Sequence, residues 1–351
     1  AGYRAVWMGK TNWGGDARFD SYRRKTAEKE SDRRRAGFKT PKSRQPEDAT
    51  VAPWPATAED DTVTKETALR FLERNKDRRF FAGVSFDKPH FPFVVQEEYY
   101  RLYKDALDVP RVTRQMLNEL PLVLQRERKK YGFARLTDQQ IRKARAIYYG
   151  MVTYIDDQIG DILRKVDELG LRDKTIILYT ADHGELAGEH GLWYKNSFYE
   201  AAVRIPLICS FPKMIPEGVK VSALAMNMDI FPTLCDLCGL PKPAGLEGKS
   251  LVPAMQGKDN GRDRFALSEN FRAGTPSRMI RTRQWKYCYF HKDKEQLFDL
   301  ENDPEETVNL VKKPEHKDVV ASLRSQALQG WRMQEFFEWR KRGRRARAEE
   351  P

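Results

Sequence analysis

The feature that most limits the fold is a long periodic stretch, Asp138 to Gly170, followed almost at once by a short and continuously apolar one. Within the first, Ile141, Ala144, Ile147, Met151, Tyr154, Ile155, Ile162 and Val166 recur at three- and four-residue steps. That spacing puts them on one face of an α-helix, and Gly170 is suited to ending it. The second, Thr175-Ile-Ile-Leu-Tyr-Thr180, is rich in β-branched residues and does not alternate, which predicts a strand buried on both faces in a parallel sheet. Further strands are expected at residues 4 to 8, 79 to 86, 205 to 211 and 222 to 226, with helices at 65 to 75 and 229 to 238. Such alternation specifies an α/β layer architecture with a mostly parallel sheet. In sheets of that kind ligands gather beyond the carboxyl ends of strands. Three of the expected strand ends are polar: Gly9-Lys10-Thr11-Asn12, Asp87-Lys88-Pro89-His90 and Ala181-Asp182-His183-Gly184.

Other segments set the organisation around this core. Residues 16 to 59 are polar, basic and weakly periodic, and read as an exposed insertion. Past residue 264 the pattern changes to Ser277–Thr282, Trp285–Phe290 and Gln296–Leu300, three short strands, followed by a turn into an amphipathic helix. We therefore expect an α/β domain over residues 1 to 264 and a small antiparallel sheet plus helix, ending in a basic tail, over 265 to 351.

The net charge of +12 is concentrated between Arg23 and Arg44 and between Arg340 and Arg347. It favours anionic partners, but the basic runs lack interleaved aromatics, so nucleic acid is not the expected one. No apolar run approaches the roughly 18 residues that a membrane span requires. The four cysteines are too few for a disulfide scaffold, and the Cys235/Cys238 pair sits in an apolar helical pattern that reads as packing.

Asp182 and His183, adjacent and just past an apolar strand, suit a divalent ion such as Ca²⁺, Mg²⁺ or Mn²⁺, although two donors fill only part of a coordination sphere. The run from Asp182-His-Gly through Gly188-Glu-His-Gly-Leu-Trp-Tyr-Lys195 to Tyr199-Glu200 and Arg204-Ile-Pro-Leu-Ile208 resembles the sulfatase family, whose fold is alkaline-phosphatase-like. The likeness extends to Ala1-Gly-Tyr-Arg with Gly9-Lys10, Lys88-Pro-His-Phe-Pro-Phe93, Met228-Asp-Ile-Phe-Pro-Thr233, Leu246-Glu-Gly-Lys-Ser-Leu251 and Leu297-Phe-Asp-Leu300. Choline-sulfatase-like and iduronate-sulfatase-like members are the nearest in pattern.

The resemblance implies that Asp182 and His183 ligate Ca²⁺ or a similar ion. It further implies that Lys195 touches both nucleophile and sulfate, that His90 donates to the ester, and that Lys10 contacts the anion. The implied substrate is a small-molecule or glycan sulfate ester. Lys88 and His190 lie within the matching runs, and His190 reads more simply as a packed residue holding the Gly188–Gly191 turn.

Two departures stand out. The family's nucleophile is a formylglycine made from Cys or Ser in Cys-x-Pro-Ser-Arg, preceded by a pair of metal-binding aspartates, and neither is among the 351 residues. Gly274-Thr-Pro-Ser-Arg278 is a near match without a side chain to oxidise. The family's usual His also gives way to Asn12, which hydrogen-bonds but does not take up a proton at neutral pH. These departures lead us to expect an N-terminally truncated sulfatase, inactive as it stands. A phosphodiesterase or phosphonate monoesterase of the same superfamily and a non-catalytic anion-binding chain are the alternatives.

Overall fold

The computed structural model describes residues 2–10, 45–258, 265–271, 275–334 and 336–337, together with the backbone of 20–21. In chain order its main elements are β1 (Arg4–Gly9), β2 (Asp20–Ser21), β3 (Thr50–Val51), α1 (Asp60–Asn75), β4 (Phe80–Ser85), β5 (Val94–Val95) and α2 (Asp138–Glu168). They continue with β6 (Ile177–Thr180), β7 (Leu207–Ser210), α3 (Ile230–Leu237), β8 (Ala266–Asn270), β9 (Ser277–Arg281), β10 (Trp285–Phe290), β11 (Gln296–Asp299) and α4 (Lys317–Leu328). Among the described residues no helix is long and apolar enough to cross a membrane. The chain divides into two compact units, the first comprising Ala1–Pro110, Arg135–Ile176 and Phe211–Lys213, and the second Arg111–Ala134, Ile177–Ser210 and Met214–Pro351.

In the first unit β1 lies between β2 and β4, all parallel, and β3 pairs in parallel with β5. Val6 and Met8 of β1 pack against Ala68 and Phe71 of α1, with Phe80, Ala82 and Val84 of β4 and Ile162 of α2 around them. Burying a side chain such as Phe71 contributes about 1.5–3 kcal/mol. The long helix starts where the sequence calls for it. Gln140 donates its backbone N–H to the Thr137 hydroxyl, and Thr137 returns its own to the Gln140 side chain, a capping box. At the other end Gly170 takes φ +60°, a conformation that glycine adopts without a Cβ penalty.

The insertion expected over residues 16 to 59 falls largely outside the described residues, but its described part is not an exposed loop. The backbone of Asp20–Ser21 joins the parallel sheet, and Ala49, Ala52, Trp54 and Glu59 are buried. Isolated apolar residues in a polar run carry no periodicity, which is why their burial does not show in the sequence. The basic stretch over residues 340 to 347 lies outside the described residues.

Of the Thr175–Thr180 run, Ile177–Thr180 forms β6 in the second unit, and it pairs antiparallel with β7 rather than in parallel. An unbroken apolar run reports burial and not strand direction, and here even the burial is partial: Ile177, Leu178 and Thr180 are half-buried, and the register partners Tyr179 and Ile208 are exposed. The strand expected at residues 222 to 226 is absent; that stretch is irregular and enters a short 3₁₀ turn, Asn227–Asp229, ahead of α3. The C-terminal sheet has the order β11-β10-β9-β8, all antiparallel, with α4 packed through Leu323 and Ala327 on Ile280, Tyr287 and Leu297. It is not an isolated appendage. Its other face, Met279, Cys288, Phe290 and Phe298, closes a core with Leu120, Leu124, Leu186, Leu192, Phe198 and Tyr199.

Candidate functional site

In the second unit the chain leaves β6 at Thr180 and turns at Ala181–Gly184. A Cβ on Gly184 would lie 2.1 Å from the Ala201 carbonyl oxygen, and the Gly184 N–H donates to the Ala202 carbonyl at 2.7 Å, so only glycine fits. The turn presents Asp182 outward while its Oδ1 accepts the His183 N–H at 3.1 Å. His183 Nδ1 lies 2.8 Å from the Gly184 carbonyl oxygen. A carbonyl only accepts, so Nδ1 carries the proton and the neutral ring keeps its lone pair on Nε2. That Nε2 is 3.5 Å from Asp182 Oδ2.

Lys195 is delivered by the loop that follows. Glu185 Oε1 accepts the N–H groups of Ala187 (3.1 Å) and Tyr194 (2.5 Å), and Leu186 N–H donates to the Tyr194 carbonyl at 2.9 Å. Burial pushes the Glu185 carboxyl up to about 7, against the pull of those backbone donors and of Lys195. Ala187, His190 and Tyr194 all take positive φ, so the hydrogen bonds hold a backbone that L-residues rarely adopt. His190 stacks on Tyr199 with ring centroids 3.6 Å apart and 9° between planes, and burial lowers its pKa to about 4. It is a packed, neutral residue, as the simpler reading of the sequence has it.

The first unit carries the other candidates. Gly9 (φ +91°) has room for no Cβ, since one would lie 1.8 Å from the Ser85 carbonyl oxygen. The next residue, Lys10, donates its N–H to that oxygen at 3.0 Å, and the Trp7 indole donates to the Lys10 carbonyl at 3.0 Å. Lys10 Nζ is 2.7 Å from Asp87 Oδ1, and the His90 N–H donates to the Asp87 carbonyl at 2.9 Å. His90 Nδ1 is 2.7 Å from the Phe91 carbonyl, which fixes the same tautomer as at His183. Its Nε2 therefore accepts when the ring is neutral and donates once the ring is protonated.

Lys88 points elsewhere: its ammonium is 3.2 Å from Glu59 Oε2 and sits over the Tyr154 ring at 5.9 Å. Asn12 lies outside the described residues, as does Gly274 of the near-match motif. The sequence reading missed Glu59, Asp61, Asp87 as the partner of Lys10, and Glu185. Only Glu185, inside the matching run, had a signal that could have been weighed.

Among the described residues no group of three or more His, Cys, Asp or Glu is placed to hold a metal ion. Asp182 and His183 nonetheless fit one as part of a donor set. A carboxylate oxygen and an imidazole nitrogen face the same space, and the ring is oriented by a backbone carbonyl, as is common at metal-bound histidines.

Comparison with known proteins follows the same lines. The family model described as Sulfatase matches residues 1–240, and that described as N-sulphoglucosamine sulphohydrolase, C-terminal, matches residues 188–334. The chain is 32% identical to a choline-sulfatase of Rhizobium meliloti over 76% of its own length and 54% of the relative's. It is 38% identical to arylsulfatase K of Bos taurus over 54% of its length and 37% of the relative's. It thus spans about half or less of the curated relatives it matches. Among solved structures, the phosphonate monoester hydrolase of Agrobacterium radiobacter superposes with a TM-score of 0.77 at 23% identity, covering 93% of this chain and 78% of that one, which shows the fold.

Proposed function

The chain belongs to the sulfatase family, and on that premise we propose that it carries the metal-binding and charge-stabilising residues of a sulfate-ester hydrolase. The observation that carries this reading is the Asp182–His183 pair, Oδ2 and Nε2 3.5 Å apart with the imidazole held by the Gly184 carbonyl. Relatives bearing sulfatase names, at 32% and 38% identity, favour sulfate over the phosphate or phosphonate esters taken elsewhere in the superfamily.

Asp182 and His183 are the residues that would hold a divalent ion, with Ca²⁺, Mg²⁺ or Mn²⁺ suited to their mixed donors. Such an ion, when bound, would supply Lewis-acid stabilisation of the negative charge that develops as an S–O bond breaks. Lys195, delivered by a loop with little freedom, offers a fixed cation to the same charge, and a preorganised donor needs no reorganisation at the moment of reaction. Lys10 and His90, in the other unit, are assigned the anion contacts that the family resemblance gives them. Lys10 exchanges its Asp87 partner for the incoming anion, and His90, once protonated, donates from Nε2 to an ester oxygen. No Cys or Ser here lies in the x-Pro-x-Arg setting that yields formylglycine, so this chain by itself does not turn over esters.

Two measurements test the reading. Mn²⁺ added to protein labelled at histidine Cε1 is expected to broaden the His183 resonance and spare His291 and His316, with the effect lost in Asp182→Ala. With two ligands the affinity is low, so sub-millimolar Ca²⁺ raises Tm by little. Broadening that persists in Asp182→Ala removes the metal assignment. Turnover of an aryl sulfate above the buffer rate removes the assignment of inactivity.

A further inference from the structure

The loop Asp87–Phe91 has few means of holding its own shape. Pro89 and Pro92 have no N–H to give, and the His90 N–H is taken by the Asp87 carbonyl. The remaining early amides, of Asp87 and Lys88, both go to one side chain. Asp87 N–H donates to Asp61 Oδ1 at 2.7 Å and Lys88 N–H to Asp61 Oδ2 at 3.0 Å. Asp61 lies in the first turn of α1 and is only 5% exposed. Two residues earlier Glu59, 4% exposed, takes the Lys88 ammonium at 3.2 Å on one oxygen. Its other oxygen accepts the Trp54 indole N–H at 2.8 Å and the Gln96 amide at 2.7 Å.

We infer that Glu59 and Asp61 are positioning residues for His90 and Asp87, acting as a buried acidic platform that fixes the backbone of the Asp87–His90 turn from below. Lys88 is the counter-ion of that platform and not an anion contact. A buried carboxylate is costly to keep, and burial does push Asp61 up to about 6 despite the two amides and Lys88 that favour its charged form. What the arrangement secures is direction. With both early amides and the Lys88 side chain held underneath, the Asp87 carboxylate is left facing Lys10 and the His90 ring is left on the Phe91 carbonyl. The inference rests on reading His90 as an anion contact, but its test involves no ester, so failure of the hydrolase reading and failure of the platform are told apart.

The test uses the 351-residue chain labelled with ¹³C at the Cε1 of its five histidines. Asp61→Asn is expected to shift the His90 resonance by more than its linewidth and to speed exchange of the Asp87 and Lys88 amides about tenfold. The resonances of His183, His190, His291 and His316 should stay where they are. Lys88→Met releases the turn from Glu59 and should also move His90; Glu59→Gln weakens the same contact from the other side and should move it likewise, and the double variant should shift it no further than Lys88→Met alone. That second series decides the matter if Asp61→Asn does not fold. A His90 resonance unmoved by Lys88→Met, shifts that add in the double variant, or a common shift of all five histidines overturns the inference.

Discussion

Glu185 and Tyr194 close the loop between them with a single short bond, the Tyr194 N–H donating to Glu185 Oε1 at 2.5 Å. One carboxylate thus fixes the residue before Lys195 from nine positions away, and the same oxygen holds the Ala187 amide. The position of Lys195 is therefore set through the backbone. Glu185→Ala leaves two backbone N–H groups without their acceptor, each costing about 1–3 kcal/mol where water does not replace it. Urea denaturation should show a loss in that range, and amide exchange at Ala187 and Tyr194 should rise well above that of the C-terminal sheet. Unchanged protection of both amides would show that the loop holds without Glu185.

His190 ties stability to pH. Its folded pKa, about 4, lies below the ordinary 6.5, so the unfolded chain binds the extra proton between those values. Stability should then be full above about pH 6.5 and fall as the pH drops toward 4, by up to about 3 kcal/mol for this group. His190→Phe keeps a ring to stack on Tyr199 and removes the titration. Its denaturation midpoint should be flatter than that of the native protein across pH 6.5 to 4, and parallel curves would refute the assignment.

Lys286 is fully buried, with its ammonium 2.6 Å from Glu200, 2.7 Å from Glu306 and 2.9 Å from the Phe198 carbonyl. Glu200 opens the short helix Glu200–Val203 that follows the Lys195 loop, whereas Lys286 stands on β10, so this ion cluster ties the two together. Lys286→Met strands the buried Glu306, while the half-buried Glu200 keeps Arg281 at 3.2 Å, and should cost about 3–5 kcal/mol in urea denaturation. A loss below 1 kcal/mol, a threshold of about RT ln 5, would mean that water reaches the cluster.

Gly184→Ala forces a Cβ to within 2.1 Å of the Ala201 carbonyl oxygen. Overpacking of this kind costs about 1–3 kcal/mol, and here the strain falls on the turn that aims Asp182 and His183. The expected result is folded protein, with Tm lowered by several degrees and the Mn²⁺ broadening of His183 lost. Full retention of that broadening would show that the turn tolerates the shift.

What the sequence made legible was whatever repeats or punctuates locally. The α2 face, Gly170 at its end, Gly9 and Gly184 just past their strands, and the polar strand ends at Lys10, His90 and Asp182 are all local signals. What it concealed depends on partners far along the chain. β8, Ala-Leu-Ser-Glu-Asn, is a half-buried edge strand whose residues neither alternate nor run apolar. Trp54 and Glu59 lie in a stretch with no period, and their burial comes from the indole–carboxylate bond and from Gln96 some forty residues on. The antiparallel pairing of β6 was hidden because apolar content is blind to direction. At the site, Asp61 looks like an ordinary acidic residue opening a helix, and nothing local tells of the amides at Asp87 and Lys88.

The shared core beneath the Lys195 loop bears on how this protein tolerates change. Phe198 and Tyr199 rest on Phe290 and Phe298 of the C-terminal sheet. A deletion, fusion or proteolytic cut near residue 264 would accordingly take the floor from under a loop some seventy positions upstream. The sheet cannot be exchanged between relatives like a cassette. Substitutions at Phe290 of β10 or Phe298 of β11 are therefore felt in the loop.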